Sequence, residues 1–76
     1  NSKLTFGADY DLKILHDGSN SYIQQSGTGD LYIQNTVDDK DIIFQSDDGS
    51  GGTTEYFRLD GGEAITVAST PMLANI

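Results

Sequence analysis

Seventy-six residues with 36% hydrophobic content bury too little surface to hold a chain together easily, and there is no cysteine to add a disulfide. Twelve acidic against four basic residues leave a formal charge of −8, which disfavours nucleic acid and anionic membrane surfaces as partners. No apolar run approaches the about 20 residues of a membrane-spanning helix, so membrane insertion by a helix is not expected.

In chain order the sequence alternates short apolar-patterned runs with polar turns at a pitch near ten residues. The runs are Leu4-Thr-Phe6, Asp11-Leu-Lys-Ile14, Ser21-Tyr-Ile-Gln24, Leu31-Tyr-Ile-Gln34 and Asp41-Ile-Ile-Phe44, followed by Phe57-Arg-Leu59 and Ile65-Thr-Val67. Side chains alternate between the faces of a strand. The pairs Leu4/Phe6, Leu12/Ile14, Leu31/Ile33, Ile42/Phe44, Phe57/Leu59 and Ile65/Val67, with Ile23 alone, are therefore predicted to point inward. Thr5, Lys13, Arg58 and Thr66 are predicted to point outward, while Tyr32 and Ile43 break the alternation.

Glycine punctuates the chain too often for a long helix, and the stretch 47–54 reads as a longer loop. The pattern predicts an all-β chain: a short-strand β-helix or β-solenoid-like fibre segment built as an intertwined homotrimer, because strands this short need neighbours stacked at the same pitch. Leu12, Ile14, Ile23, Leu31, Ile33, Ile42, Phe44, Phe57 and Leu59 are the expected core and assembly residues. Residues 1–76 read as a single β-repeat module, with no composition change marking a second domain. Both ends fall in extended patterns, and a fragment of a longer tandem-repeat protein is expected.

Few residues suggest chemistry. His16 beside Asp17 has the composition of a general base and its orienter, but neighbours on a strand point to opposite faces, and no nucleophile elbow is present. A turn histidine is the expectation, no catalytic set converges, and neither an enzyme activity nor a cofactor is expected. Asp38, Asp39, Asp41, Asp47 and Asp48 are the candidate Ca²⁺ ligands, since hard cations take several carboxylate and carbonyl oxygens. Their spacing does not recur as it does in Ca²⁺-binding β-rolls, which favours solvated turns. Tyr22, Tyr32 and Tyr56, with Tyr10 and nearby amides, offer stacking faces and hydroxyls that suit either a glycan or a protein interface. Gln24 and Gln34 occupy equivalent places and are expected to stack as an amide ladder. The glycine-rich 49–54 run lacks the lysine and helix of a phosphate loop.

The string Asp11-Leu-Lys-Ile-Leu-His-Asp-Gly-Ser-Asn-Ser-Tyr-Ile23, followed by Ser26-Gly-Thr-Gly-Asp-Leu-Tyr-Ile33, resembles a repeat of structural proteins from tailed bacteriophages, notably marine and cyanobacterial ones. Asp41-Ile-Ile-Phe-Gln-Ser-Asp-Asp-Gly-Ser50 and Glu55-Tyr-Phe-Arg-Leu-Asp-Gly61 resemble its continuation. The resemblance implies a segment of a tail fibre or virion appendage that supports attachment to a host receptor, in a family where such units recur in tandem in homotrimeric β-rich shafts. It implies an extracellular, virion-borne location, copies of itself and other virion proteins as partners, a host-surface glycan as a candidate ligand, and no catalytic residues. The alternative from another class is a carbohydrate- or Ca²⁺-binding β-module of a secreted or surface adhesin.

Overall fold

The computed structural model describes residues 3–71. Six strands follow one another: β1 (Lys3–Phe6), β2 (Leu12–His16), β3 (Ser21–Gln25), β4 (Ile42–Asp47), β5 (Thr53–Asp60) and β6 (Ile65–Ala68). No helix occurs among the described residues, so the chain is all-β. The strands form two three-stranded antiparallel sheets, ordered β1-β2-β3 and β4-β5-β6. Each sheet is a meander of consecutive hairpins, so the near-ten-residue pitch is spent within a sheet on adjacent antiparallel strands and not on the rungs of a coil. The chain divides into two compact units between Tyr32 and Ile33, each holding one sheet.

The turns explain much of the acidic excess. Asp17, Asp48 and Asp60 each close a hairpin with one carboxylate oxygen that accepts two backbone N–H groups ahead of it. Asp17 takes Ser19 and Asn20 at 2.8 and 2.7 Å, Asp48 takes Ser50 and Gly52 at 2.7 and 3.1 Å, and Asp60 takes Gly62 and Glu63 at 3.0 and 3.1 Å. These N–H groups would otherwise lack a protein partner, and an aspartate at the head of a turn fixes the backbone that the following residues must adopt. Gly18, inside the first of these turns, has φ 99°, a conformation that a side chain opposes.

The 35–41 connection is closed in the same manner by Asn35, whose side-chain oxygen accepts from the Val37 N–H at 3.0 Å and whose amide donates to the Asp41 carbonyl at 2.9 Å. Gly61 ends β5 with the backbone of Lys40 against its Cα and donates its N–H to Asp41 Oδ1 at 2.8 Å. No side chain fits at that approach.

Three expectations are corrected. Leu31–Gln34 is not a strand; the chain there pairs with neither sheet, and Leu31 and Ile33 stay exposed. Ser21-Tyr-Ile-Gln24 carries the same Tyr-Ile-Gln string and does form a strand, because a tight turn returns it onto β2. Residues 31–34 lie at the division between the units and have no such neighbour. The loop expected over 47–54 is shorter than predicted, since Asp47 belongs to β4 and Thr53 and Thr54 to β5. Ile65 and Val67 do not share a face with Phe57 and Leu59: the four-residue turn between β5 and β6 sets Arg58 opposite Val67 and Asp60 opposite Ile65.

Candidate functional site

In the first sheet the register places Leu4, Ile14 and Ile23 in one row across the three strands and Phe6 beside Leu12 in the next. Partners directly across antiparallel strands point to the same side, so these five apolar residues form one face, bordered by His16, Ser21 and Gln25. The opposite face carries Lys3, Thr5, Lys13, Leu15, Tyr22 and Gln24. In the second sheet Ile42, Leu59 and Thr66 form one row, and Phe44, Phe57 and Ala68 the next. The Phe44 and Phe57 rings stack with centroids 4.5 Å apart and planes at 11°.

Within its own unit, neither apolar face is covered by a second layer. No hydrophobic residue among those described is buried. Leu4 and Ile23 are 60% and 62% exposed, and Phe44 and Phe57 retain 37% and 41% of their surface even while stacked on each other. A soluble single chain keeps contiguous apolar patches small and closes its larger ones against a second layer. Here each sheet is a single layer with one oily side. The expected core residues Leu12, Ile14, Ile23, Ile42, Phe44, Phe57 and Leu59 all lie on these two faces; Leu31 lies on neither, and Ile33, outside the strands, lines a cavity with Ile42, Leu59 and Thr66 at the edge of the second. At the Phe57 end the second face deepens into a cavity of about 330 Å³ lined by Tyr56, Phe57, Thr66, Ala68, Thr70 and Pro71.

Charge lies on the reverse of the second sheet. Arg58 Nη1 donates to Glu55 Oε2 at 3.1 Å. Its Nη2 lies 3.8 Å from Asp60 Oδ2, and its Nε lies 3.4 Å from Asp41 Oδ2 without an aligned hydrogen bond. Glu55 also accepts from the Ser69 hydroxyl. A β-bulge between Phe44 and Gln45 leaves Tyr56 unpaired and brings Glu55 to the same side as Arg58. Nothing in the residue pattern signals that bulge. Ile43 and Val67 are the cross-strand partners of Arg58, so Ile43, which breaks the alternation, lies on the same side of the sheet as the arginine.

The residues singled out for chemistry lie as follows. His16 Nδ1 is 2.9 Å from Ser21 Oγ, its cross-strand partner. Asp17 turns away into the hairpin and also accepts from the Tyr22 hydroxyl at 3.1 Å. The Asn20 and Ser19 N–H groups, with that hydroxyl, hold the Asp17 carboxyl below its usual range. The Ser50 and Gly52 N–H groups do the same for Asp48. The cluster is an exposed, internally satisfied turn.

Of the candidate Ca²⁺ ligands, Asp41 faces Arg58 and Gly61, and Asp48 is occupied by its own loop. Asp39 has φ 63° in the 35–41 connection beside Asp38, and Asp47 lies in β4 with its carbonyl accepting from the Tyr56 hydroxyl at 2.7 Å. Among the described residues no group of three acidic or histidine side chains is arranged to hold a metal ion. Tyr22 belongs to the first unit and Tyr56 to the second, each with its hydroxyl bonded within its own hairpin. Tyr32 stands at the division between the units, 76% exposed. Gln34 is outside any strand, so it forms no sheet ladder with Gln24.

No protein-family model, no curated protein and no solved structure gives a significant match to this chain.

Proposed function

We propose that the chain is a self-associating structural module: a segment of a phage tail fibre or virion appendage, assembled as a homotrimer, that holds a receptor-binding tip away from the particle. The observation that carries the self-associating part is that two antiparallel sheets each present an apolar face on which no hydrophobic side chain is buried. The fibre part rests on the resemblance of the Asp11–Ile33 and Asp41–Gly61 strings to phage structural repeats.

The role is mechanical. Covering the faces with other copies removes apolar surface from water at about 25 cal/mol per Å² and supplies the core that a chain of this size lacks. The edges β1, β3, β4 and β6 carry backbone groups that pair with a neighbouring chain or meet water. β-helix-like order along the fibre then arises between chains, with each meander as one block. Sedimentation equilibrium tests the reading. A mass of three 8.2 kDa chains at micromolar concentration is expected, and a folded monomer would overturn it.

A further inference from the structure

The sequence holds three Asp-Gly steps, Asp17-Gly18, Asp48-Gly49 and Asp60-Gly61. At such a step the backbone nitrogen of the glycine can attack the aspartate Cγ, because no side chain shields it and glycine reaches backbone angles closed to other residues. The N–Cγ bond forms as a Cγ–Oδ bond of the carboxylic acid breaks, and its OH leaves with the amide proton as water. A second water opens the resulting succinimide. Cleavage between the nitrogen and Cγ restores aspartate, whereas cleavage between the nitrogen and the main-chain carbonyl carbon gives isoaspartate, whose main chain runs through Cβ and Cγ. One water leaves and one returns, so no other reagent is required. We propose that Asp48 is the site of spontaneous isoaspartate formation in the folded chain, with the Gly49 nitrogen as nucleophile, and that Asp41 and Lys40 hold the same step back at Asp60.

All three aspartates accept two turn N–H groups through one oxygen, and each carboxyl must leave them before the ring can close. Asp17 must in addition release the Tyr22 hydroxyl from its other oxygen. At Asp60 the nucleophile itself is engaged. The Gly61 N–H donates to Asp41 Oδ1 at 2.8 Å, and the Lys40 backbone lies against the Gly61 Cα, which leaves that peptide no room to swing toward Cγ. Asp48 has neither restraint. Its Oδ2 and the Gly49 N–H have no hydrogen-bond partner among the described residues. Gly49 has φ 81°, with nothing within 4 Å of the place a Cβ would take. Three of the five residues 48–52 are glycine, and all five are exposed. The turn N–H groups hold the Asp17 and Asp48 carboxyls below their usual range alike, so charge does not separate these two. Isoaspartate at position 48 lengthens the main chain by one methylene inside the loop that the Asp48 N–H closes onto the Gly52 carbonyl at 3.0 Å, and so loosens the end of the β4–β5 hairpin.

Prolonged incubation of the folded chain at neutral pH, followed by trypsin, tests the assignment. Cleavage after Lys13, Lys40 and Arg58 places the three steps in separate peptides, 14–40, 41–58 and 59–76. Electron-transfer fragmentation distinguishes isoaspartate at each Asp-Gly step from aspartate of equal mass. One net hydrogen bond corresponds to about a fivefold change in population, so isoaspartate is expected to accumulate about fivefold faster in 41–58 than in 14–40, with 59–76 the slowest. In urea the unfolded chain should convert all three at comparable rates. Asp41→Ala, which removes the acceptor of the Gly61 N–H, should speed the 59–76 peptide and leave 41–58 unchanged. If Asp41→Ala fails to fold, the comparison of the folded and unfolded parent decides alone. Equal rates in the folded parent, a faster 14–40 or 59–76 peptide, or the same preference for 41–58 in urea overturns the assignment.

Discussion

The rings of Phe44 and Phe57 stack across the β4–β5 pairing, 4.5 Å apart and 11° from parallel, immediately before the bulge that leaves Tyr56 unpaired. The pair is the main aromatic contact of the second unit, and it remains partly open to solvent. Phe44→Ala and Phe57→Ala should each destabilise the second sheet by about 1–2 kcal/mol, below the about 3–5 kcal/mol of a fully buried phenylalanine. A double-mutant cycle read by denaturant unfolding should give a coupling of about 0.5–1.5 kcal/mol. Additive losses would mean that the rings act separately.

Arg58 stands among three carboxylates, and its removal leaves Asp41, Glu55 and Asp60 facing one another. Arg58→Ala should cost about 1–2 kcal/mol at neutral pH, and Arg58→Lys should recover only part of it because an ammonium lacks the planar fork. The variant's loss should shrink at high salt, which screens repulsion between the partly exposed carboxylates. Urea unfolding at several salt concentrations checks this; a loss independent of salt would argue against repulsion as its cause.

Asp17 and Asp48 are held below the usual carboxylate value of 3.8 by the N–H groups of their own turns. A depressed folded-state pKa contributes stability above the unfolded pKa, and that contribution is lost as pH falls through the folded value. Acidification also relieves the repulsion of a −8 chain, which acts in the opposite direction. The difference between the parent and Asp17→Asn or Asp48→Asn isolates the turn. The parent's stability advantage should be present near neutral pH and disappear below pH 3.8, as followed by melting temperature. An advantage that grew on acidification would contradict the assignment.

Ile23 sits in the Leu4–Ile14–Ile23 row of the first sheet, and Ile33 lies outside both sheets. Ile23→Asp should block assembly, since covering that face would bury an unpaired carboxylate at a cost of several kcal/mol. Lys13→Ser, on the opposite face of its sheet, should change sheet stability by no more than about 0.5 kcal/mol. Sedimentation and thermal melts of the two variants separate them; equal effects would contradict the assignment of faces.

These contrasts show what was legible in the sequence. Period-two alternation correctly grouped Leu4 with Phe6, Leu12 with Ile14, Ile42 with Phe44, and Phe57 with Leu59, because a three-stranded meander with one oily side imposes that period directly. It failed at Tyr-Ile-Gln over 32–34, the string that forms a strand over 22–24. Local residues alone do not decide a strand; a partner within reach of a short turn does. It also failed at Ile65 and Val67, whose side is set by the length of the preceding turn and not by their own hydrophobicity. From the sequence Asp48 reads as a solvated turn acid or cation ligand and Asp17 as a neighbour of His16, while Asp60 carries no reading. In the fold each is the acceptor that closes a hairpin, a role visible only once the following N–H groups are placed. The Arg58 cluster gave no sequence signal, since its three acids lie at different spacings and one reaches it through a bulge.

If other copies of the chain complete the apolar faces of these sheets, folding is coupled to association. Folding coupled to association makes the melting temperature depend on chain concentration, because the assembled state gains stability by mass action. Thermal unfolding followed by circular dichroism over about a hundredfold range of concentration should show the midpoint rising steadily. A midpoint that stays constant over that range, with strand structure intact at the lowest concentration, would mean that a single chain folds without other copies on its apolar faces.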